Sequence, residues 1–203
     1  MKQPKIIALD CDHVLLDYNK AWAELYKKFF NQELFPTNEK AYYACDYWGV
    51  NWNGREKDEQ TFYDHFTHNG WRDMVAMEGA IEASHILKEE GYKIFVVTRM
   101  PPSGEAARSA NLSDLGFKFD AVIGTGDSHK HNPKKPYIEA LKPNYFVDDM
   151  IANFKGIDTN NSTKFVWLDI GLEHPENDEL KKTHEIHHIH SNLLDFVNIN
   201  IRK

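Results

Sequence analysis

The chain has 203 residues, 41% hydrophobic and 27% charged, which suits one globular domain with at most a modest insertion and excludes a disordered or fibrous chain. Its formal charge of −7 argues against a binder of nucleic-acid polymers, which needs massed Lys and Arg to neutralise phosphates; a small phosphorylated partner stays open. Two cysteines, Cys11 and Cys45, offer no disulfide framework and fit a reducing cytoplasm. Residues 1–4 pass straight into a strand-like run, leaving no room for a secretory signal. No apolar stretch approaches the roughly 18 residues of a membrane span, so no membrane partner is expected.

The first predicted element is a strand over residues 6–9, a continuous apolar run of the kind buried on both faces of a parallel sheet. It ends on Asp10 and Asp12, at the carboxyl edge where loops part and open α/β sheets bind their ligands. Two carboxylates so close repel each other, and a divalent cation is the simplest relief. Mg²⁺ suits such an oxygen site and commonly bridges carboxylates to a substrate phosphate. Read alone, Asp10-Cys11-Asp12 is also compatible with a plain strand-to-loop turn.

Residues 18–30 then read as an amphipathic helix, with Trp22, Leu25, Tyr26, Phe29 and Phe30 on one face. Phe35-Pro36-Thr37 resembles a helix start with Thr37 or Asn38 as its cap. Residues 51–54 read as a loop, and 55–68 as a helix with Phe62, Tyr63 and Phe66 on its apolar side. No strand pattern occurs between Asp17 and Met77. The β/α rhythm is therefore broken by an all-helical insertion, rich in aromatic residues that include Tyr42, Tyr43, Trp48 and Trp52. Most of these are expected to form the insertion's own core, with some, Trp48 or Trp52 among them, available to stack on a nucleobase.

The rhythm resumes with a helix over 80–90, stopped by Gly91, and a strand over 94–98 that ends on Thr98. A Pro-Pro-Ser-Gly loop follows, then a helix over 105–115 closed by Gly116. A short strand is predicted at 121–124, a helix from Lys135 or Pro136 to Leu141, a strand at 145–147 running into Asp148 and Asp149, and a fifth strand at 164–168. The histidine-rich stretch 184–190 suggests an edge strand rather than a zinc site, since no cysteine joins it. A closing helix is expected over 192–197. Such alternation implies an α/β fold, a Rossmann-like parallel sheet with right-handed crossovers.

Four pieces in fixed order, Asp10-Cys11-Asp12-His13-Val14, a strand ending in Thr98, the pair Lys134-Lys135 before Pro136, and a strand ending in Asp148-Asp149, resemble the motifs of the haloacid dehalogenase superfamily. The resemblance covers residues 5 to about 155. It implies a core domain of residues 1–17 and 78–203 and a small helical C1 cap over 18–77, placed to exclude water and choose the substrate. It also implies catalytic roles: Asp10 as the nucleophile that takes a phosphoryl group, Asp12 as acid and base, and Thr98 and Lys135 as phosphate-binding residues. Lys135 matches the family's Lys-Pro pattern better than Lys134. The metal set implied is Asp10, Asp12, Asp148 and Asp149 around Mg²⁺, with Asp148 a direct ligand and Asp149 acting through water or a hydrogen bond to Lys135. Superfamily members that cleave carbon–halogen bonds lack the second Asp, so Asp12 argues for phosphate chemistry.

Two departures stand out. His13 replaces the glycine usual after the second Asp, and Arg99 follows Thr98, positioned either to meet a substrate anion or to face solvent. The expected function is an Mg²⁺-dependent phosphohydrolase acting on a small phosphorylated metabolite, with similarity to the 5'(3')-deoxyribonucleotidases making a nucleoside monophosphate the favoured substrate. The alternative is a phosphate-binding or scaffold protein on the same fold, catalytically weakened by His13.

Overall fold

The computed structural model describes residues 4–126, 131–160 and 162–202; residues 1–3, on which the expectation of no secretory signal rests, lie outside the described residues. Strands β1 (Lys5–Leu9), β2 (Tyr92–Thr98), β3 (Ala121–Gly124), β4 (Tyr145–Asp148), β5 (Lys164–Leu168) and β6 (His188–His190) form one sheet in the order β3-β2-β1-β4-β5-β6. Every neighbouring pair is parallel. The order reverses at β1, between β2 and β4, and such a switch point opens a crevice at the carboxyl ends of the strands.

The period of two along each strand divides the core between the two faces. Ile7, Leu9, Val96, Val147 and Val166 join one apolar cluster; Ala8, Val97, Phe146 and Trp167 join the other. Helices α4 (Ala80–Glu89), α5 (Glu105–Asp114) and α8 (Leu193–Asn200) contribute to the first, and α6 (Lys135–Leu141) and α7 (Asn177–Thr183) to the second. The residues on which α4 and α5 were expected to end, Gly91 and Gly116, both have positive φ.

Between β1 and β2 lie α1 (Tyr18–Phe30), α2 (Ala44–Trp48) and α3 (Glu56–Asn69), with no strand of the sheet among the described residues. Asp17 caps α1 by accepting from the Lys20 amide at 2.9 Å. Trp22, Tyr26, Trp52 and Phe62 pack together, Trp22 stacking on Tyr26 at 5.4 Å and meeting Phe62 edge-on at 4.9 Å. This aromatic knot is continuous with the first-face core of the sheet. A two-chain neck carries the insertion: the Asp17 amide donates to Val75 O and the Met77 amide to Leu15 O, both at 2.9 Å.

The helix expected to start at Phe35-Pro36-Thr37 does not form. Thr37 instead closes the far end of α2, its amide donating to Tyr47 O at 2.9 Å and its hydroxyl reaching Asp46 O and Tyr47 O. Capping a neighbour's carboxyl end satisfies carbonyls that have no partner in their own helix, which is why a residue read as an N-cap has no helix of its own. The edge strand in the histidine-rich stretch is confined to β6, and α7 was not foreseen, because its apolar face is little more than Leu180.

Candidate active site

Parallel pairing of β1 with β4 brings three carboxylates to one point. Asp10 follows β1 directly, its amide donating to Val147 O at 2.9 Å; Asp148 ends β4 and Asp149 comes next. One oxygen from each of Asp10, Asp148 and Asp149 lies within 4.8 Å of the other two, and all three residues are buried. Lys134, at the start of α6 and 0% exposed, inserts its ammonium among them. Nζ donates to Asp148 Oδ2 at 2.7 Å and pairs with Asp10 Oδ1 at 2.7 Å without hydrogen-bond alignment. Asp148 Oδ1 accepts from the Met150 amide at 2.9 Å and from Asn153 Nδ2 at 2.8 Å.

One lysine does not balance three acids. Burial pushes the Asp148 carboxyl up to about 6 despite the ammonium beside it. Burial, with the charges of Asp148 and Asp10, raises Asp149 well above the usual carboxylate range. Burial works against the charge of Lys134, but Asp10 and Asp148 outweigh it and the ammonium is held more firmly than usual. Both carboxylate oxygens of Asp149 are buried with no hydrogen-bond partner, the Tyr42 hydroxyl approaching without full alignment. Its backbone carbonyl, by contrast, is anchored by Trp167 Nε1 at 2.9 Å. A rigidly held, unpaired carboxylate beside two others is costly unless a cation is supplied. An all-carboxylate donor set suits a hard divalent ion such as Mg²⁺; the residues present fit that cofactor, with Asp10, Asp148 and Asp149 as the side chains to hold it.

Asp12 lies outside that group of three. Its carboxylate pairs with the buried Arg108, Oδ1 lying 2.9 Å from Nη2, and it opens on a cavity of about 260 Å³ roofed by the insertion. His13, Tyr18, Tyr42, Tyr43 and Tyr63 share the lining, which contains no Lys or Arg among the described residues. His13 adopts φ +61°, the left-handed turn in which glycine is usual, and its ring lies 5.6 Å from that of Tyr42 and 6.0 Å from that of Tyr18. Burial lowers the His13 imidazole and raises the Tyr18 and Tyr42 phenols, so the cavity offers neutral donors.

A second groove of about 750 Å³ lies beyond Tyr42 and Tyr43, and Arg99, Lys135, Lys155 and His174 line it. Thr98 ends β2 at the same sheet edge as Asp10, on the flank of β1 opposite β4, and is 1% exposed. Its carbonyl accepts from the Met100 and Thr125 amides, both at 3.0 Å, which shapes the loop after β2.

The structure therefore gathers Asp10, Asp148 and Asp149, leaves Asp12 outside that group, and ends β2 on Thr98 at the same sheet edge. The choice of Lys135 is corrected. Its side chain is 44% exposed and 3.6 Å from Glu139, whereas Lys134 occupies the buried position. Successive residues at a helix start point about 100° apart, so only one of the two lysines can face the sheet, and it is the first. The Asp12 side chain as a fourth metal ligand is likewise corrected, since its carboxylate is turned to Arg108. Trp52 is buried in the aromatic knot, and Trp48 donates Nε1 to Asn19 O at 2.9 Å; neither lines the cavity beside Asp12. The sequence does not mark Arg108 or Asn153, because an arginine within an ordinary helix pattern and an asparagine past an acidic pair carry no spacing signal, and it gives Tyr42 only as one aromatic of the insertion among many.

Among curated proteins none matches the sequence significantly. Solved structures share the fold at low identity. An HAD family hydrolase from Deinococcus radiodurans R1, with bound phosphate and sodium, aligns over 96% of this chain and 94% of its own at 13% identity and a TM-score of 0.60. A predicted phosphoglycolate phosphatase from Haemophilus somnus 129pt aligns over 98% and 99% at 16% identity and 0.61. A defluorinating L-2-haloacid dehalogenase aligns over 97% and 95% at 8% identity and 0.63. The family model for haloacid dehalogenase-like hydrolases matches residues 7–148, a span running from within β1 to the first acid of the Asp148-Asp149 pair, and the chain belongs to that family.

Proposed function

We propose that the protein is an Mg²⁺-dependent phosphohydrolase whose substrate is a monoester of a small, neutral alcohol. The observation that carries this reading is Asp12, two residues after Asp10 and lining the cavity beneath the insertion. A halide leaves without a proton, whereas an alkoxide is a poor leaving group until it is protonated, so an acid placed beside the leaving-group cavity has work to do in phosphoester cleavage and none in dehalogenation.

The reaction runs in two displacements. An Asp10 carboxylate oxygen attacks phosphorus, the bond from phosphorus to the ester oxygen breaks, and Asp12 delivers a proton to that oxygen, releasing the alcohol. Water then attacks the aspartyl phosphate, Asp12 takes the water's proton, and inorganic phosphate departs as the Asp10 carboxylate is restored. Lys134 holds Asp10 in place and offsets charge at the phosphoryl group. Mg²⁺, when bound, neutralises the repulsion between the anionic nucleophile and the anionic substrate. Thr98, at the end of β2, is the residue we assign to a phosphoryl oxygen, through its hydroxyl.

The cavity supports the neutral leaving group. Its phenols and imidazole supply hydrogen bonds and ring faces, while a carboxylate-bearing leaving group would meet Asp12 with no lysine or arginine among the described lining residues. A nucleoside fits that chemistry, its base against Tyr42, Tyr43 or His13 in place of the tryptophans. The test is phosphate release across nucleotides, sugar phosphates and phosphorylated acids. Turnover is expected with Mg²⁺, lost in EDTA and in Asp10→Asn, and greatest on esters of uncharged alcohols; phosphoglycolate as the best substrate, or turnover retained by Asp10→Asn, would overturn the reading.

A further inference from the structure

Arg108 lies in the middle of α5 and is 0% exposed. Burying a guanidinium is expensive unless charge and hydrogen bonds compensate, and the compensation here is oddly incomplete. Among the described residues, Nη1 finds its hydrogen-bond partner in the sulfur of Met74, at 3.0 Å. The guanidinium carbon lies 4.9 Å from the ring centre of Trp71. Nη2 pairs with Asp12 Oδ1 at 2.9 Å, yet neither Nη2 nor Nε has an aligned acceptor. These two nitrogens form the edge of the fork that a carboxylate accepts bidentately.

The seat of Arg108 is built from another segment. Trp71 and Met74 belong to the returning end of the insertion, directly before the neck at Val75–Met77, and α5 grips that end at several points. Asn111 Nδ2 donates to Met74 O at 3.0 Å, and Arg72 pairs with Asp114. Trp71 also packs on Gly104, where an added Cβ would come within 3.0 Å of its ring.

On the other side of the guanidinium, Asp12 Oδ1 is buried while the side chain keeps 22% exposure. Oδ1 is therefore held by the charge of Arg108 through the ion pair, and the carboxyl group faces the cavity with what is left.

The geometry points to Arg108 as a positioning residue for the acid and base Asp12: it pins Oδ1, so that Oδ2 is the oxygen that gives the proton to the leaving group. Its setting is coupled to the insertion through Trp71 and Met74. This rests on the phosphohydrolase reading. Arg108 itself is sealed from the cavity and touches no substrate.

The experiment measures leaving-group release in single turnovers for a series of phosphate monoesters, from 4-nitrophenyl phosphate, whose phenolate departs with little help, to glycerol phosphate, whose alkoxide needs a proton. Arg108→Lys keeps the charge and loses the fork; Arg108→Met keeps the bulk and loses the charge. Both are expected to lose about 10- to 100-fold on the alkyl ester, the scale of a misplaced catalytic group, and only a few-fold on the aryl ester. Asp12→Asn should show the same steepened dependence, and adding Arg108→Lys to it should steepen it no further.

Should both Arg108 variants fail to fold, Trp71→Leu and Met74→Leu loosen the seat without touching the guanidinium. They are then expected to steepen the dependence in the same direction, by less. Losses equal for aryl and alkyl esters, or additive with Asp12→Asn, would make Arg108 a packing residue and overturn the inference alone. A wild-type protein that hydrolyses none of the series would overturn the phosphohydrolase reading, and this inference with it.

Discussion

Lys134 and Asp148 form a fully buried pair, Nζ 2.7 Å from Oδ2, at the point where α6 starts behind the end of β4. The ammonium also faces Asp10, so it is the cation that keeps three clustered carboxylates tolerable before any metal binds. Removing one member of a buried pair strands its partner at a cost of about 3–5 kcal/mol. Lys134→Ala is expected to lose that order of stability in denaturant unfolding without Mg²⁺, and to lose hydrolysis almost entirely. Lys135→Ala removes an exposed contact to Glu139 and should change stability by less than about 1 kcal/mol. Equal effects of the two substitutions would refute the assignment.

Asp149 gives the acid cluster a pH signature. Its carboxyl is raised far above the ordinary value, mainly by burial, and Asp148 is raised to about 6. Over the range from about 4 upward the folded, metal-free protein therefore holds protons that the unfolded chain has released. Stability must fall as pH rises when the native state binds more protons than the unfolded one. Asp149→Asn removes the orphaned charge. In EDTA, Asp149→Asn and wild type should unfold at similar temperatures near pH 4.5, and the variant should be the more stable by pH 7.5. Mg²⁺ should stabilise wild type more than the variant at pH 7.5. A difference that shrinks as pH rises would contradict the account.

Much of this arrangement was legible in the residues because it depends on strand ends. The apolar runs at Ile6–Leu9 and Tyr145–Val147 stop on acids, and parallel pairing of two such runs can only place those acids together. What escaped notice was set by direction rather than by type. Nothing in Lys134-Lys135-Pro136 says which lysine turns inward, and nothing in α5 marks Arg108 as the charged residue on its buried side, paired with Asp12. Thr37 shows the same limit: its hydroxyl bonds carbonyls about ten positions later in the chain, a pairing that tertiary folding decides and local pattern does not.

Two aromatic residues of the insertion should separate packing from recognition. Trp52 is 9% exposed and packs against Trp22, Tyr26 and Phe62. Trp52→Ala is expected to cost about 3–5 kcal/mol in stability and to lower turnover of every ester alike. Tyr43 is 50% exposed and borders the cavity; Tyr43→Ala should leave the unfolding temperature nearly unchanged. If a nucleobase stacks there, its KM for nucleoside monophosphates should rise several-fold, consistent with about 1–3 kcal/mol for one stacked base, with little change for 4-nitrophenyl phosphate. An unchanged KM for nucleotides would remove Tyr43 from recognition.

His13 stands where two demands meet. Its backbone, at φ +61°, favours glycine; a side chain in the left-handed region costs about 1–2 kcal/mol. Glycine would relieve that cost, while its looser unfolded chain would return about 0.5–1 kcal/mol of it. The imidazole is 6% exposed and fills space between Tyr18 and Tyr42, so its loss takes packing away as well. These opposing effects should leave His13→Gly within about 1 kcal/mol of wild type in stability. The kinetic effect should be the larger one, because the ring lines the cavity beside Asp12 that the phosphohydrolase reading assigns to the leaving group. Removing it widens that cavity without touching the acid cluster, so kcat/KM should rise for bulky esters relative to small ones, with the Mg²⁺ dependence unchanged. A uniform fall for all esters, with stability preserved, would instead place the imidazole in the chemistry itself.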